Sequence, residues 1–106
     1  MAPGETMQGT LLDGGVQAVF ETQEPGVYAL ARGEGGEITS LWFRLPTGTI
    51  GRIAARGHGK PGEDEWEITV NPDTGVVTVN PSIKQEAVSD LPTWHGYLRR
   101  GVWEGG

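Results

Sequence analysis

The sequence predicts an all-β fold, a small antiparallel sandwich or partly open barrel built from hairpins. Of its 106 residues, 18 are glycine and 7 are proline, and these residues separate short apolar runs, which is typical of a chain with many tight turns. Within the runs, apolar and polar residues alternate, as in Trp66-Glu-Ile-Thr-Val70, and no segment keeps a helical period. The length suits one domain with one modest core.

The first residues differ from the rest of the chain because they hold few apolar anchors, namely Met7, Leu11 and Leu12. We therefore expect an extended N-terminal arm over residues 1–15, followed by a single β-domain over residues 16–106. The spaced anchors could lie across a neighbouring protein as an added strand, which makes them candidate partner-binding residues. A frayed tail is the alternative.

Turn signals divide the remaining chain into short strands. Pro25-Gly26 fits a β-turn, and Asn71-Pro-Asp-Thr-Gly75 fits a hairpin loop that glycine closes. Residues 84–91 fit either a loop or one helical turn. Before the C-terminal segment, strands are predicted at residues 16–22, 27–32, 38–45, 49–55, 66–70 and 76–80.

The C-terminal segment Trp94-His-Gly-Tyr-Leu-Arg-Arg-Gly-Val-Trp103 predicts a closing β-hairpin. Its turn lies at Arg99-Arg100-Gly101, with glycine where a positive φ is needed. Any exposed tryptophan is a candidate for partner binding because tryptophan offers a large contact area, and we assign this role to Trp42 and Trp103. The predicted core consists of Trp66, Ile68, Val77, Val79, Trp94, Leu98 and Val102.

Composition excludes several functional classes. The formal net charge of −6 disfavours binding to nucleic-acid phosphates. The chain has no cysteine, hence no disulfide framework and no thiolate zinc site. No apolar run approaches the roughly 20 residues of a membrane span, and the polar first residues lead us to expect no signal peptide. We expect no cofactor, no metal and no membrane partner.

His95 is the one candidate for chemistry. As a functional residue it would be a general base or a relic metal ligand, and as a structural residue it would bond to a backbone carbonyl. Ser82 could be a nucleophile beside it, but no acid partner and no nucleophile-elbow motif accompany the pair. His58 lies between glycines in a loop that we expect to be solvated, and the acidic residues 63–67 lack the ligand spacing of a calcium loop.

From residue 23 onward, several motifs occur in a characteristic order. They are Pro25-Gly26-Val27-Tyr28, the strand and turn over residues 43–48, Trp66-Glu-Ile68, Thr78-Val-Asn-Pro-Ser82 and the terminal Trp94-His-Gly-Tyr-Leu-Arg-Arg-Gly-Val-Trp103. In this order the chain resembles a family of small domains of unknown function that is common in bacteriophage genomes.

The resemblance implies a phage setting rather than a reaction. Many relatives carry cysteines that look like zinc ligands in the middle turn and before the Trp-His-Gly motif. Here those places hold Arg44, Leu45, Thr47 and Pro92 or Thr93, and only His95 remains. The resemblance therefore implies that the metal has been lost and replaced by packing.

We accordingly expect a phage-encoded, non-catalytic structural or interaction module, such as a head-decoration or tail accessory protein of the virion. Its partner would be a viral structural protein or another copy of itself, in the virion or in the host cytoplasm during infection. Two alternatives remain open. One is a small hydrolytic enzyme centred on His95, and the other is an acidic phage inhibitor that binds a host protein.

Overall fold

A computed structural model describes residues 2–106. Within this range the chain forms nine short strands and one seven-residue helix. In chain order they are β1 (Thr6–Gln8), β2 (Thr10–Leu11), α1 (Gly15–Glu21), β3 (Val27–Arg32), β4 (Ile38–Arg44), β5 (Ile50–Ala55), β6 (Glu65–Val70), β7 (Val77–Gln85), β8 (Trp94–Arg99) and β9 (Val102–Gly105).

The strands form one sheet in the order β1-β9-β8-β7-β6-β5-β4-β3-β2. Neighbours are antiparallel except for the short parallel pairs β2 with β3 and β5 with β6. The sheet curls into a nearly closed barrel. The prediction of an all-β, partly open barrel is therefore confirmed.

The N-terminal segment brings the two edges of the sheet together, because β1 pairs with β9 while β2, one residue further on, pairs with β3. The intervening Gly9 donates its N–H to the Gly101 carbonyl at 2.8 Å. A Cβ at Gly9 would lie 2.7 Å from that same oxygen, so only glycine fits here. The prediction of an arm over residues 1–15 is therefore wrong for residues 6–11, which belong to the barrel wall.

The prediction of a strand over residues 16–22 is also wrong, since Gly15–Glu21 form the helix α1. The alternation of Val16, Ala18 and Phe20 also permits a helix in which Val16, Val19 and Phe20 share a face. A seven-residue helix is marginal by itself. Packing of Val19, fully buried, against the sheet decides the outcome.

The core lies inside the barrel. Of the predicted core residues, Val77, Val79, Trp94 and Leu98 are buried, whereas Trp66 and Ile68 are half-buried against it. The assignment of Val102 to the core is wrong, because its side chain is on the outer face and Trp103 takes the inner position. The other buried members of the core cluster are Tyr28, Leu41, Phe43, Leu45, Ile53 and Ile83.

Candidate functional site: an aromatic patch on the barrel wall

The most accessible aromatic surface surrounds Trp42. In β4, Leu41 and Phe43 are buried, so the intervening Trp42 points out of the barrel, as the period of two requires. The centroid of its ring lies 5.6 Å from that of the Phe20 ring, and the two ring planes are tilted by 56°. Phe20 projects from α1 and is 47% exposed. We call Phe20, Trp42 and Arg52 the aromatic patch.

Arg52 completes the patch through strand register. Trp42 and Arg52 are directly opposite in the antiparallel pair β4–β5, which places their side chains on the same face. The Arg52 guanidinium lies 6.0 Å from the centroid of the Trp42 ring, and its Nη1 is 3.3 Å from Oε2 of Glu63. The indole Nε1 of Trp42 donates to Oγ of Ser40 at 3.2 Å, which fixes the orientation of the ring.

The other predicted partner-binding residues do not join this patch. Met7 packs against the core as a half-buried residue, whereas Leu11 is 36% exposed and lies near Gly75. Leu12 is half-buried, and its backbone N–H donates to the Tyr28 carbonyl. The three apolar anchors therefore serve the barrel wall at different places and do not form one docking surface.

The assignment of Trp103 as a partner-binding residue is wrong, because its side chain is 0% exposed and cannot contact a partner while the barrel is intact. Its Nε1 donates to the Gly26 carbonyl at 2.8 Å. Its ring meets those of Tyr28, Phe43 and Trp94 edge-on at centroid distances of 6.4, 5.6 and 5.6 Å, the geometry that aromatic pairs prefer.

The sequence did contain a signal for the orientation of Trp103. The hairpin loop consists of two residues, Arg100 and Gly101, which makes Leu98 the partner of Trp103. Directly opposite residues share a face, so an inward Leu98 requires an inward Trp103. We placed the turn on three residues instead, and a shift of one residue reverses every side chain.

The structure brings His95 and Ser82 together. His95 Nε2 lies 3.1 Å from Ser82 Oγ on the outer face of β7 and β8, and the exposed imidazole lies 6.1 Å from the ring of Tyr97. Within residues 2–106, no carboxylate lies within ion-pair distance of His95. The pair therefore has a base next to a hydroxyl but lacks the group that orients the base in a catalytic triad.

The loop that carries His58 is held in place by an acidic residue. The carboxylate of Glu65 accepts the backbone N–H groups of Gly57 and Gly59 at 3.1 and 2.7 Å. These hydrogen bonds hold the pKa of Glu65 below its usual value of 4.5, because they stabilise the ionised form. Glu63 likewise accepts the Lys60 N–H at 3.1 Å. Glu63 and Glu65 therefore hold the backbone of this loop by hydrogen bonds, and His58 remains exposed within the loop.

The turn after β4, where the family resemblance implied lost zinc ligands, is filled by packing and hydrogen bonds. Leu45 is fully buried in the core, Arg44 donates to the Gly48 carbonyl at 3.1 Å, and Thr47 Oγ1 lies 3.4 Å from Thr49 Oγ1. In the part of the chain that the structure describes, no group of three or more metal-ligating side chains comes together.

Comparison of the chain with protein-family models, with curated proteins and with solved structures gives no match. None of the described helices is long and apolar enough to span a bilayer.

Proposed function

We propose that this protein is a non-catalytic interaction module that binds a protein partner through the aromatic patch. The observation that carries the proposal is the position of Trp42. It lies on the outside of the barrel, and its ring contacts, at a tilt of 56°, a phenylalanine that remains 47% exposed. Tryptophan and arginine are the side chains most enriched among residues that dominate binding energy at protein interfaces.

The overall charge of the chain favours a basic partner. Glu21, adjacent to Phe20 on α1, is exposed, and Glu63 lies at the Arg52 side. Glu63 offsets the charge of Arg52, and the whole chain carries a net charge of −6. A partner that packs an apolar side chain against the exposed edges of the two rings and carries basic residues around it matches this surface.

A site-specific cross-linking experiment tests the docking surface. A photoreactive phenylalanine analogue replaces Phe20 in one variant and Leu11 in a matched control, because both side chains are exposed but only Phe20 belongs to the patch. We expect one cross-linked protein from position 20, its loss when Trp42→Ala is added, and none from position 11. Equal cross-linking from both positions would show that the patch is not the docking surface.

We further propose a bacteriophage setting, with the protein as an accessory of the virion such as a head-decoration or tail component. The support is the resemblance of the terminal Trp94–Trp103 segment and its preceding motifs to phage-encoded domains. Many copies on a symmetric lattice would let weak contacts add up. Mass spectrometry of purified virions tests this. Absence of the chain from the particle, together with a monomeric profile in solution, would favour an inhibitor of a host protein.

One observation favours an enzymatic alternative, namely the 3.1 Å contact between His95 and Ser82. If the pair were catalytic, His95→Ala would abolish a hydrolytic activity and leave the melting temperature unchanged. If the pair is a brace between β7 and β8, Ser82→Ala and His95→Ala would lower stability by similar small amounts, about 0.5–1 kcal/mol each. A screen with ester and peptide substrates on the wild type and both variants separates these cases.

A further inference from the structure

A cleft of about 420 Å³ shares no lining residue with the aromatic patch or with the His95–Ser82 pair. It opens between the β6–β7 loop and the β8–β9 turn, and its volume lies within the range of small-molecule sites. Val70 and Val76 supply half-buried apolar surface. The complete lining is Thr69, Val70, Asn71, Thr74, Val76, Thr78 and Arg100.

Three polar side chains of this cleft keep free donors because their oxygen atoms accept hydrogen bonds within the fold, whereas the Thr69 hydroxyl donates to the Thr78 carbonyl at 3.4 Å. Asn71 Oδ1 accepts the N–H groups of Asp73 and Thr74 at 2.8 and 3.2 Å, which leaves its amide NH2 unengaged. Thr78 Oγ1 accepts the Arg100 N–H at 2.9 Å, and Thr74 Oγ1 accepts the Val76 N–H at 3.4 Å. Each of these two hydroxyls therefore retains its O–H for a ligand.

Arg100 adds a cation in an unusual backbone conformation. Its φ is +51°, and that of Gly101 is +75°, the pair of left-handed residues that defines a type I′ hairpin turn. Asn, Asp and Gly favour the first of these positions, and arginine does not. The Arg100 guanidinium has no ion-pair or hydrogen-bond partner within residues 2–106. An unfavoured residue at a turn position points to a role for its side chain.

We propose that this cleft is a binding site for a small oxyanion, either a carboxylate or a phosphoryl group. The oxyanion accepts hydrogen bonds from the Arg100 guanidinium, the Asn71 amide and the hydroxyls of Thr74 and Thr78. The apolar remainder of the ligand lies on the two valines. Arginine suits both anions because its planar fork donates two parallel hydrogen bonds. This site is independent of the aromatic patch and does not require the proposed docking function.

The test uses NMR titrations of the 15N-labelled full chain with inorganic phosphate and with succinate, at constant ionic strength. We expect saturable shifts at Asn71, including its side-chain amide, and at Thr74, Thr78 and Arg100. Saturation by phosphate alone identifies a phosphoryl ligand, and saturation by succinate alone identifies a carboxylate. Shifts that stay small and linear with both anions would overturn the proposal.

Two neighbouring arginines supply a matched pair of variants. Arg100→Asn removes the cation and places a favoured residue in the turn, so we expect unchanged or higher stability and affinity at least about tenfold weaker. Arg99→Gln serves as the control, because Arg99 lies over the Tyr97 ring at 4.0 Å and pairs with Glu104, and we expect its affinity within about twofold of wild type. Equal affinity of Arg100→Asn and wild type would overturn the proposal.

Discussion

Replacing Trp103 by phenylalanine tests the most consequential placement in the barrel. The indole is fully buried, is surrounded by three aromatic rings and donates a hydrogen bond to the Gly26 carbonyl. Burial of an aromatic side chain of about 150–250 Å² stabilises by about 4–6 kcal/mol at 25 cal/mol per Å². Phenylalanine retains part of this area, and the atoms it lacks leave a cavity that costs about 1–2 kcal/mol. The Gly26 carbonyl loses the hydrogen bond from the indole, worth about 0.5–1.5 kcal/mol, but it still accepts the Thr10 N–H at 3.2 Å. We expect a total loss of about 2–3 kcal/mol.

The measurement is urea unfolding followed by far-UV circular dichroism, which does not depend on the fluorescence of the removed indole. With a slope m typical of small domains, the midpoint should fall by about 1–2 M. Trp42→Phe is the control, because Trp42 is half-buried on the outer face and its Nε1 bonds only to Ser40, and we expect a loss under about 1 kcal/mol. If Trp103→Phe costs no more than Trp42→Phe, the core placement is wrong and Trp103 becomes a docking candidate again.

Three further predictions concern other parts of the barrel. Gly96→Ala should lose about 2 kcal/mol or more in urea unfolding, because its Cβ would press against the β9 backbone and lie 2.7 Å from the Trp94 indole; near-wild-type stability would contradict the register of β8 and β9. Glu65→Gln should lower the melting temperature at neutral pH. Because the folded pKa of Glu65 lies below its usual value of 4.5, the wild type loses this stabilisation as the pH falls from 4.5 through the folded pKa, and the two melting temperatures should converge there; a constant difference would exclude the carboxylate as its source. Met7→Ala should cost about 1–2 kcal/mol and Leu11→Ala less than about 0.5 kcal/mol in the same unfolding assay, because only the first packs against the core; equally small costs at both positions would restore the arm hypothesis.

Much of the β-architecture was predictable because its signals are local. The hairpin loop over residues 71–75 and the strands around it follow from Pro, Asp and Gly at fixed offsets and from alternation of apolar residues. The same signals located β3, β4, β5 and the terminal hairpin. The two-residue period of a strand was enough to predict that Val77 and Val79 point into the barrel.

The candidate sites were less predictable because they depend on residues distant in the sequence. Trp42 could be selected as a tryptophan of large contact area, but its contact with Phe20 requires that residues 15–21 form a helix on the outside of the sheet. The oxyanion cleft depends on the approach of Arg100 to the β6–β7 loop. No local pattern encodes either juxtaposition.

By itself, the sequence determined the fold class and the positions of most turns, since glycine and proline constrain φ wherever they occur. The tertiary structure alone decided two features: α1 instead of a strand, and the closure of the barrel by β1 and β2. The physical reason is the same in each case. A short segment with an ambiguous period adopts whichever conformation buries its apolar side chains against strands formed elsewhere in the chain.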